Sequence, residues 1–436
     1  MGFLDELAWR GLLHQMTSDA IAAHLAAERR VGYAGFDPTA DSLTIGNLIP
    51  MMMLAHFQRA GHRPIVLMGG GTGLIGDPSG KSAERSLQTR EEVERHIELQ
   101  RPTFERVLDF SPGTSQAEIV NNADWLTKLS FLDALRDIGK HFSVNMMIRK
   151  ESVAARLNDR EQGISYTEFS YMILQAYDFL HLRGSHGCTI QMGGSDQFGN
   201  IVAGIDLIRR KTRGDADDPD RGEVREIDAF GVTAPLVTKA DGSKIGKSER
   251  GAIYLGAHRT SPYAFYQFWL NAGDADVCNY LRWYTFLPKA RIDELAEATR
   301  VEPHARAAQR ALAREVTRMI HGEGELARAE AAAKALFSGD VRALDERTLA
   351  EVFAEVPRST HDRAALGAGV PLVDLLTQTT LAASKREARE FLAAGAVAIN
   401  GEKGGPERML TSQDLLPGAL ILLRRGRKLW HATEWR

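Results

Sequence analysis

Cysteine is nearly absent: Cys188 and Cys278 are the two in 436 residues. Two thiols cannot form a disulfide framework or a four-thiolate zinc site, which points to a reducing compartment and to two small core side chains. No stretch approaches the roughly 18 consecutive apolar residues of a transmembrane helix. Met1 to Leu13 carries Asp5 and Glu6 where a secretory signal would be basic and then apolar. These absences predict a cytoplasmic protein with no membrane partner. An excess of one charge is also missing, since 54 Lys and Arg against 57 Asp and Glu leave a formal net charge of −3. Such a balance gives no global pull toward nucleic acid, so any RNA contact must come from a local basic patch. There are no internal repeats or low-complexity tracts. What remains is a chain 44% apolar and 25% charged, ordinary for a soluble globular protein and long enough for two or three domains.

Periodicity organises the first half. Val31 to Phe36 reads as a strand, Gly46 to Arg59 as a helix with Leu48, Ile49, Met52, Met53 and Phe57 on its apolar side, and Pro64 to Met68 as a second buried strand. Strand, helix, strand at this spacing predicts a βαβ unit and a parallel sheet whose strand ends face a ligand. Helical patterns follow at Phe131 to Ile138 and Tyr166 to Leu182, then a strand near Thr189 to Met192 and a helix from about Ser195 to Arg210. Thr212 to Glu226 reads as a surface loop, and Lys239 to Arg250 as a basic one. Pro262 to about Phe337 is mostly helical. Gly339 to Gly369, broken by Pro357, Gly367 and Gly369, reads as a linker with some local helix. In the compact tail from Pro371 onward, Ser384 to Glu387 reads as a capping box opening a basic helix through Leu392.

Two familiar nucleotide motifs fail on inspection. Gly71, Gly73 and Gly76 satisfy G-x-G-x-x-G after a strand, but a dinucleotide site needs a helix to open at the glycines, and Asp77 and Pro78 interrupt it. Gly80, Lys81 and Ser82 nearly complete a phosphate-binding loop, whose first glycine falls on Ile75. Cations on short spacing remain in two places: Lys81 and Arg85 beyond the glycine-rich turn, and Lys244 with Lys247 in a basic loop. Taken singly, each lysine reads as a solvated surface charge. Tyr171, Gln175 and Asp178 stand at i, i+4 and i+7 of one helix and share a face. By themselves they read as a polar outer face, but their neighbours Met172, Ile173, Leu174, Ala176 and Phe179 leave few positions for solvent, which argues for an inward one.

Five segments in order resemble one family. Tyr33-Ala34-Gly35-Phe36-Asp37-Pro38-Thr39-Ala40-Asp41-Ser42-Leu43 is similar to the opening strand and turn of the bacterial tyrosyl-tRNA synthetases. Lys244-Ile245-Gly246-Lys247-Ser248 is similar to the lysine loop of class I synthetases, whose consensus is KMSKS. Gly76-Asp77-Pro78-Ser79-Gly80-Lys81, Tyr171 to Asp178, and Gln191-Met192-Gly193-Gly194-Ser195-Asp196-Gln197 match in family order, and the likeness covers nearly the whole chain.

The resemblance implies an α/β architecture: a Rossmann-like parallel-sheet catalytic domain at residues 1–250, a helical anticodon-side domain at 251–340, a linker at 341–368 and a small C-terminal α+β RNA-binding module at 369–436. It implies activation of tyrosine by ATP and transfer to tRNA, with ATP accompanied by Mg2+, no prosthetic group and no protein-held metal. The partners it implies are tyrosine tRNA and a second copy of the chain in a homodimer. By the same resemblance, Tyr33 and Asp178 bind the substrate phenol, and Asp77, Tyr171 and Gln175 hold its ammonium group. Gln197 meets the reacting carboxylate. Gly35, Asp37, Gly46, Gly193 and Asp196 line the nucleotide, while Thr39, Lys81, Arg85, Lys244 and Lys247 stabilise the departing pyrophosphate. A buried acceptor such as Asp178, left unpaired by a ring lacking the hydroxyl, penalises phenylalanine.

One departure concerns the family's H-x-G-H signature, which is Thr44-Ile45-Gly46-Asn47 here. Thr44 and Asn47 can hydrogen-bond to ATP but cannot carry positive charge. Ala34 also replaces a cysteine common in the family. Ser384 to Lys403 resembles the RNA-binding module first known from a ribosomal small-subunit protein, with Lys385, Arg386 and Arg389 on one helix and Arg424, Arg425, Arg427 and Lys428 after a strand. Arg306, Arg310, Arg314 and Arg318 recur every four residues and form either a further basic stripe or a solvated helix face. Two rivals stay open at this point. One is a noncatalytic RNA-binding relative, against which the intact lysine loop argues; the other is a class I enzyme for another amino acid, against which Tyr33 and Asp178 argue.

Overall fold

The computed structural model describes residues 2–77, 87–150, 153–154, 164–213, 228–243, 245–248, 251–354, 356–426 and 429–436. The chain separates into two compact units, Met1–Thr260 with Asn271–Ile320, and Ser261–Leu270 with His321–Arg436.

The first unit is built on strands β1 (Gln15–Met16), β2 (Val31–Phe36), β3 (Arg63–Met68), β4 (Glu118–Asn121), β5 (Cys188–Gly194) and β6 (Phe230–Ala234), in the order β1-β6-β5-β2-β3-β4. All pairings are parallel except β1 with β6. Apolar runs such as Ile65-Val66-Leu67-Met68 are buried along their length, as strands covered on both faces require. The Leu48–Arg59 helix is apolar all round because it lies against the sheet, the Phe3–Arg10 helix and the Asp274–Tyr284 helix at once. On the other face the Tyr166–His186 and Phe198–Arg213 helices pack together, burying Phe179, Leu182, Ile201, Ile205 and Ile208 against Tyr33, Ile65 and Leu67. Each such side chain contributes about 1.5–3 kcal/mol by leaving water. Ser165 caps the Tyr166–His186 helix by accepting from the Glu168 amide at 3.3 Å, and Gly187 ends it at φ 65°. The hairpin β7 (Lys247–Ser248) and β8 (Gly251–Ala252) follows β6.

The second unit holds β9 (Arg358–His361), β10 (Val370–Pro371), β11 (Val397–Ile399), β12 (Glu402–Lys403), β13 (Met409–Leu410), β14 (Leu420–Arg425) and β15 (Leu429–Trp435). Five of these form a sheet in the order β12-β11-β14-β15-β9, and β10 pairs with β13. Ser384 accepts from the Glu387 amide at 3.2 Å and opens the Lys385–Ala393 helix, but Glu387 Oε2 accepts from the Ala383 amide instead of the Ser384 one. The predicted capping box is therefore shifted by one residue on its return side.

Two domain boundaries differ from expectation. Residues 341–368 are folded, not a linker: Val341, Leu344, Leu349 and Phe353 are buried with Ala332, Ala335, Leu416, Leu420 and Leu422, and β9 lies within the stretch. The segment hides because β9, Arg-Ser-Thr-His, is a polar edge strand paired in parallel with β15 and needs no apolar alternation. The helices predicted as one domain at 251–340 divide between the units. Phe265, Tyr266 and Trp269 of the Pro262–Leu270 helix bury themselves beside the Glu323–Ser338 helix, whereas Asp274–Tyr284 and Lys289–Val301 belong to the first unit.

Candidate active site

Four strands, β2, β3, β4 and β5, end at one rim of the first sheet, with β3 and β4 to one side of β2 and β5 to the other. A reversal of strand order opens a crevice at the carboxyl ends, where ligands bind. Each strand end supplies polar residues. β2 carries Tyr33 and Gly35 and runs into Asp37. Gly69 to Asp77 follow β3, Asn122 follows β4, and a 3-10 turn at Ser195–Gln197 follows β5.

Two hydrogen-bonded chains of side chains occupy the crevice. In the first, Asp37 Oδ2 accepts from the Tyr171 hydroxyl at 2.8 Å and Oδ1 accepts from Thr72 Oγ1 at 2.8 Å. Asn122 Nδ2 donates to Thr72 Oγ1 at 3.0 Å and to Asp178 Oδ2 at 2.9 Å, and Trp125 Nε1 donates to Asp178 Oδ1 at 2.8 Å. Asn122 Oδ1 accepts from the Gly71 amide at 2.7 Å, tying the chain to the turn after β3. In the second, Gln197 Nε2 donates to Asp77 Oδ2 at 2.8 Å, while Gln197 Oε1 accepts from Gln175 Nε2 and Asn200 Nδ2, both at 3.2 Å. Asp37 and Gln197, expected beside the nucleotide and the carboxylate, thus lie within reach of the residues expected to hold the ammonium group.

The glycines that failed as a dinucleotide motif have a steric use. A Cβ at Gly69 would stand 2.1 Å from Asp37 Oδ1, and one at Gly70 would stand 2.1 Å from Asn121 Oδ1. Only a residue without a side chain lets these polar groups rest on the backbone. After β5 a Cβ at Gly194 would meet Asp196 Oδ1 at 2.4 Å, so the 3-10 turn folds back over bare backbone there.

Burial pushes the Asp178 carboxyl up to about 7, against the pull of its two donors, Asn122 and Trp125. The buried Tyr33 hydroxyl is raised well above the ordinary tyrosine range, by burial and then by the Asp178 charge. It has no hydrogen-bond partner among the described residues, and neither does Gln175 Oε1 or Gln191 Oε1. Leaving such a group unpaired costs about 1–3 kcal/mol, which a ligand of matching polarity offsets. Burial and the Asp37 charge likewise hold the Tyr171 hydroxyl in its neutral, donating form.

The opposite wall is open. Gly35, Thr39, Gly46 and Asp196 are exposed, with nothing within 4 Å of a Cβ built on Gly35. Thr44 donates to Asn47 Oδ1 from its hydroxyl at 2.9 Å and from its amide at 3.0 Å, which leaves the Asn47 amide nitrogen for a ligand. Lys81, Arg85 and Lys244 lie outside the described residues, and Lys247 is described only in its backbone, in β7. Gly246, at φ 82°, packs where a Cβ would meet Ile45 Cγ1 at 2.7 Å, so the lysine loop touches the Thr44 to Asn47 turn.

In the second unit Lys385, Arg386 and Arg389 are exposed on one helix. Lys385 pairs with Asp374 at 2.7 Å and Arg386 with Glu390 at 3.0 Å. Arg424 and Arg425 turn inward instead, their guanidinium groups 5.1 Å from the Trp430 ring and 4.5 Å from the Phe391 ring. Arg427 and Lys428 lie outside the described residues.

Sequence reading missed Thr72, Asn122 and Trp125, which carry half of the first chain. The available signal was Asn121-Asn122 directly after the apolar pair Ile119-Val120, a polar break at the end of a parallel strand.

Residues 27–338 match the family model of class I tRNA synthetases (W and Y), and residues 348–433 match that of the tyrosine–tRNA ligase SYY-like C-terminal domain. The tyrosine–tRNA ligase of Roseiflexus castenholzii is 51% identical over 430 residues, 98% of each chain, and that of Geobacillus kaustophilus is 50% identical over 437 residues, 100% of each. A crystal structure of a C-terminally truncated mitochondrial tyrosyl-tRNA synthetase from Aspergillus nidulans superposes with a TM-score of 0.68 at 30% identity, over 77% of this chain and 94% of that one. The same fold recurs in the Archaeoglobus fulgidus tyrosyl-tRNA synthetase complexed with L-tyrosine, at a TM-score of 0.53 and 15% identity, over 75% of this chain and 99% of that one. Matched over most of its length and half identical to relatives from end to end, the chain belongs to the class I tRNA synthetases of the tryptophan and tyrosine group, among the tyrosine–tRNA ligases.

Proposed function

We propose that the first unit activates tyrosine with ATP and that the protein then transfers the tyrosyl group to the 3′-terminal ribose of its tRNA. The observation that carries this reading is the buried Tyr33 hydroxyl without a partner beside the Asp178 carboxylate. Each oxygen of Asp178 accepts one internal hydrogen bond and keeps a lone pair for another. A phenol donates to Asp178 and meets Tyr33, whereas a phenyl ring leaves the Tyr33 hydroxyl unpaired and the remaining Asp178 lone pair unused. Asp77, Tyr171 and Gln175 hold the ammonium group, and Gln197 turns between Asp77 and the carboxylate.

The carboxylate oxygen of tyrosine attacks the α-phosphorus, the bond to the bridging oxygen breaks, and pyrophosphate leaves with the electron pair. The substrate itself is the nucleophile, so the protein supplies placement and positive charge. ATP enters as its magnesium complex. Asp196 and the Gly193 backbone meet the ribose, Gly35 lets the nucleotide approach β2, and Gly46 with Thr44 and Asn47 meets the phosphates. Thr39, Lys81, Arg85, Lys244 and Lys247 stabilise the leaving group. Lys385, Arg386 and Arg389 hold tRNA phosphates by charge.

A homodimer in the cytoplasm completes the reading. Among the described residues no helix is long and apolar enough to cross a membrane. Exposed Phe131, Leu132, Leu135, Val144, Met146 and Ile148 fall between positions 131 and 148 of the first unit. A concentration of apolar side chains of this kind suits a second copy.

The test is pyrophosphate exchange into ATP measured with each amino acid in turn. Exchange with tyrosine alone is expected, and exchange with another amino acid but not with tyrosine would overturn the assignment.

A further inference from the structure

The base of the lysine loop is strapped to the turn that carries Thr44 and Asn47. The Ile45 amide donates to Ile253 O at 3.1 Å, the Leu255 amide to Leu43 O at 2.8 Å, and the Ile253 amide to Gly246 O at 2.9 Å. Thr44 and Tyr254 form an antiparallel bridge within this short ladder. Side chains pin its outer end. Arg259 Nε donates to Asp41 Oδ1 at 2.7 Å, His258 Nε2 lies 3.4 Å from Asp41 Oδ2, and the Gly256 amide donates to Ser42 Oγ at 2.8 Å. Gly256 is required there, because a Cβ would stand 2.8 Å from Ser42 Oγ and 2.7 Å from the His258 ring. The Arg259 guanidinium also lies 5.6 Å from the Tyr254 ring centroid, so it grips both strands of the strap. The Asp41 side chain is 17% exposed against 49% for Arg259, which makes the carboxylate the fixed post and the arginine the latch.

None of these bonds involves a residue of the two side-chain chains on the tyrosine side. Residues 41–46, 246–248 and 251–259 therefore form a separately bonded piece of the rim, one that joins the two segments assigned to ATP and its leaving group. Leaving-group charge grows only as the bond breaks, so the cations must already be in place, and a misplacement of about 1 Å is expensive.

We propose that Asp41 and Arg259, with Ser42 behind them, are positioning residues for pyrophosphate release: the pair holds the base of the lysine loop in register with the Thr44 to Asn47 turn. This rests on the reading that the loop serves ATP. Neither side chain touches substrate in this scheme; they act through Gly246 and Ile45.

The test is single-turnover adenylate formation in the full-length protein, with tyrosine affinity measured separately. Arg259→Ala is expected to slow adenylate formation and raise the ATP KM by about two- to fivefold, the range open to an ion pair this exposed, with tyrosine affinity unchanged. Arg259→Lys keeps the charge and should recover part of the loss, and Asp41→Asn should reproduce it. Equal rates in wild type, Arg259→Ala and Asp41→Asn would overturn the proposal, as would a fall in tyrosine affinity by the same factor, since the pair would then merely hold the domain together. Lys247→Ala separates the two levels. If it slows adenylate formation while Arg259→Ala does not, the strap alone is wrong; if it has no effect, the loop leaves the mechanism and the proposal goes with it.

Discussion

The proposed tyrosine pocket and the basic helix of the second unit handle polar groups in opposite ways. In the pocket, Asp37, Thr72, Asn122, Trp125 and Asp178 are bonded to one another before any ligand arrives. On the Lys385–Ala393 helix, Lys385, Arg386 and Arg389 stand in water, two of them held only by surface ion pairs. Buried, mutually bonded groups discriminate by geometry, because a ligand with the wrong polarity strands one of them. Exposed charges attract any phosphate backbone and are weakened by salt. In the proposed scheme one region recognises a single hydroxyl and the other supplies affinity for a long polyanion.

Asp178→Ala should break this contrast most sharply. It removes the acceptor of the phenol and also strands Asn122 and Trp125, so kcat/KM for tyrosine in exchange should fall about a hundredfold, the scale of a hydrogen bond to a charged group. The affinity for tRNA should stay the same. A variant with near wild-type preference for tyrosine over phenylalanine would show that the phenol binds elsewhere.

Replacing Lys385, Arg386 and Arg389 together with alanine should do the reverse. Aminoacylation at low salt should show a KM for tRNA raised about tenfold, a gap that narrows as salt rises, with exchange untouched. Equal loss of exchange and charging would mean that the helix is structural.

A third difference is pH. Asp178, at about 7 where an ordinary carboxyl is near 3.8, takes up a proton as the solution falls below neutrality, and it then accepts less well from the substrate. The KM for tyrosine should rise by up to about tenfold per unit below pH 7, and tRNA affinity should not follow. For folding the sign is opposite. The proton held by the native state stabilises it below the unfolded pKa, and that contribution disappears as pH rises through about 7. A flat tyrosine KM between pH 6 and 8 would show that Asp178 keeps one protonation state across that range.

The smallest effect concerns stability. Ser384→Ala deletes the cap of the Lys385–Ala393 helix and should cost about 1 kcal/mol, read as a lower denaturation midpoint of the second unit with no change in exchange.

Much of the first unit is legible in the sequence. β2 spans Val31–Phe36, the bounds read from the sequence, and the Tyr166–His186 helix carries Tyr171, Gln175 and Asp178 on one face. The part that is not legible depends on closeness between distant segments. Asn122 and Trp125 carry no helical or strand period, and their meaning comes from lying beside a helix more than fifty positions away. Arg424 and Arg425 look like part of a basic patch until Trp430 and Phe391 draw them inward. The fold of residues 341–368 is hidden for a related reason: besides Ala332 and Ala335 just before them, its apolar side chains meet Leu416, Leu420 and Leu422, more than fifty residues further on.

The bare backbone at Gly69 and Gly70 has a consequence for redesign. Because Asp37 and Asn121 rest where any side chain would collide, that wall of the pocket behaves as a mould cast in main chain, and it cannot be recut one residue at a time. In an enzyme re-engineered to charge a bulkier or differently substituted amino acid, the positions left to vary are side chains on the Tyr166–His186 helix and on β2, and of these Gln175 is not part of the network that ties Asp178 to Asn122 and the turn after β3.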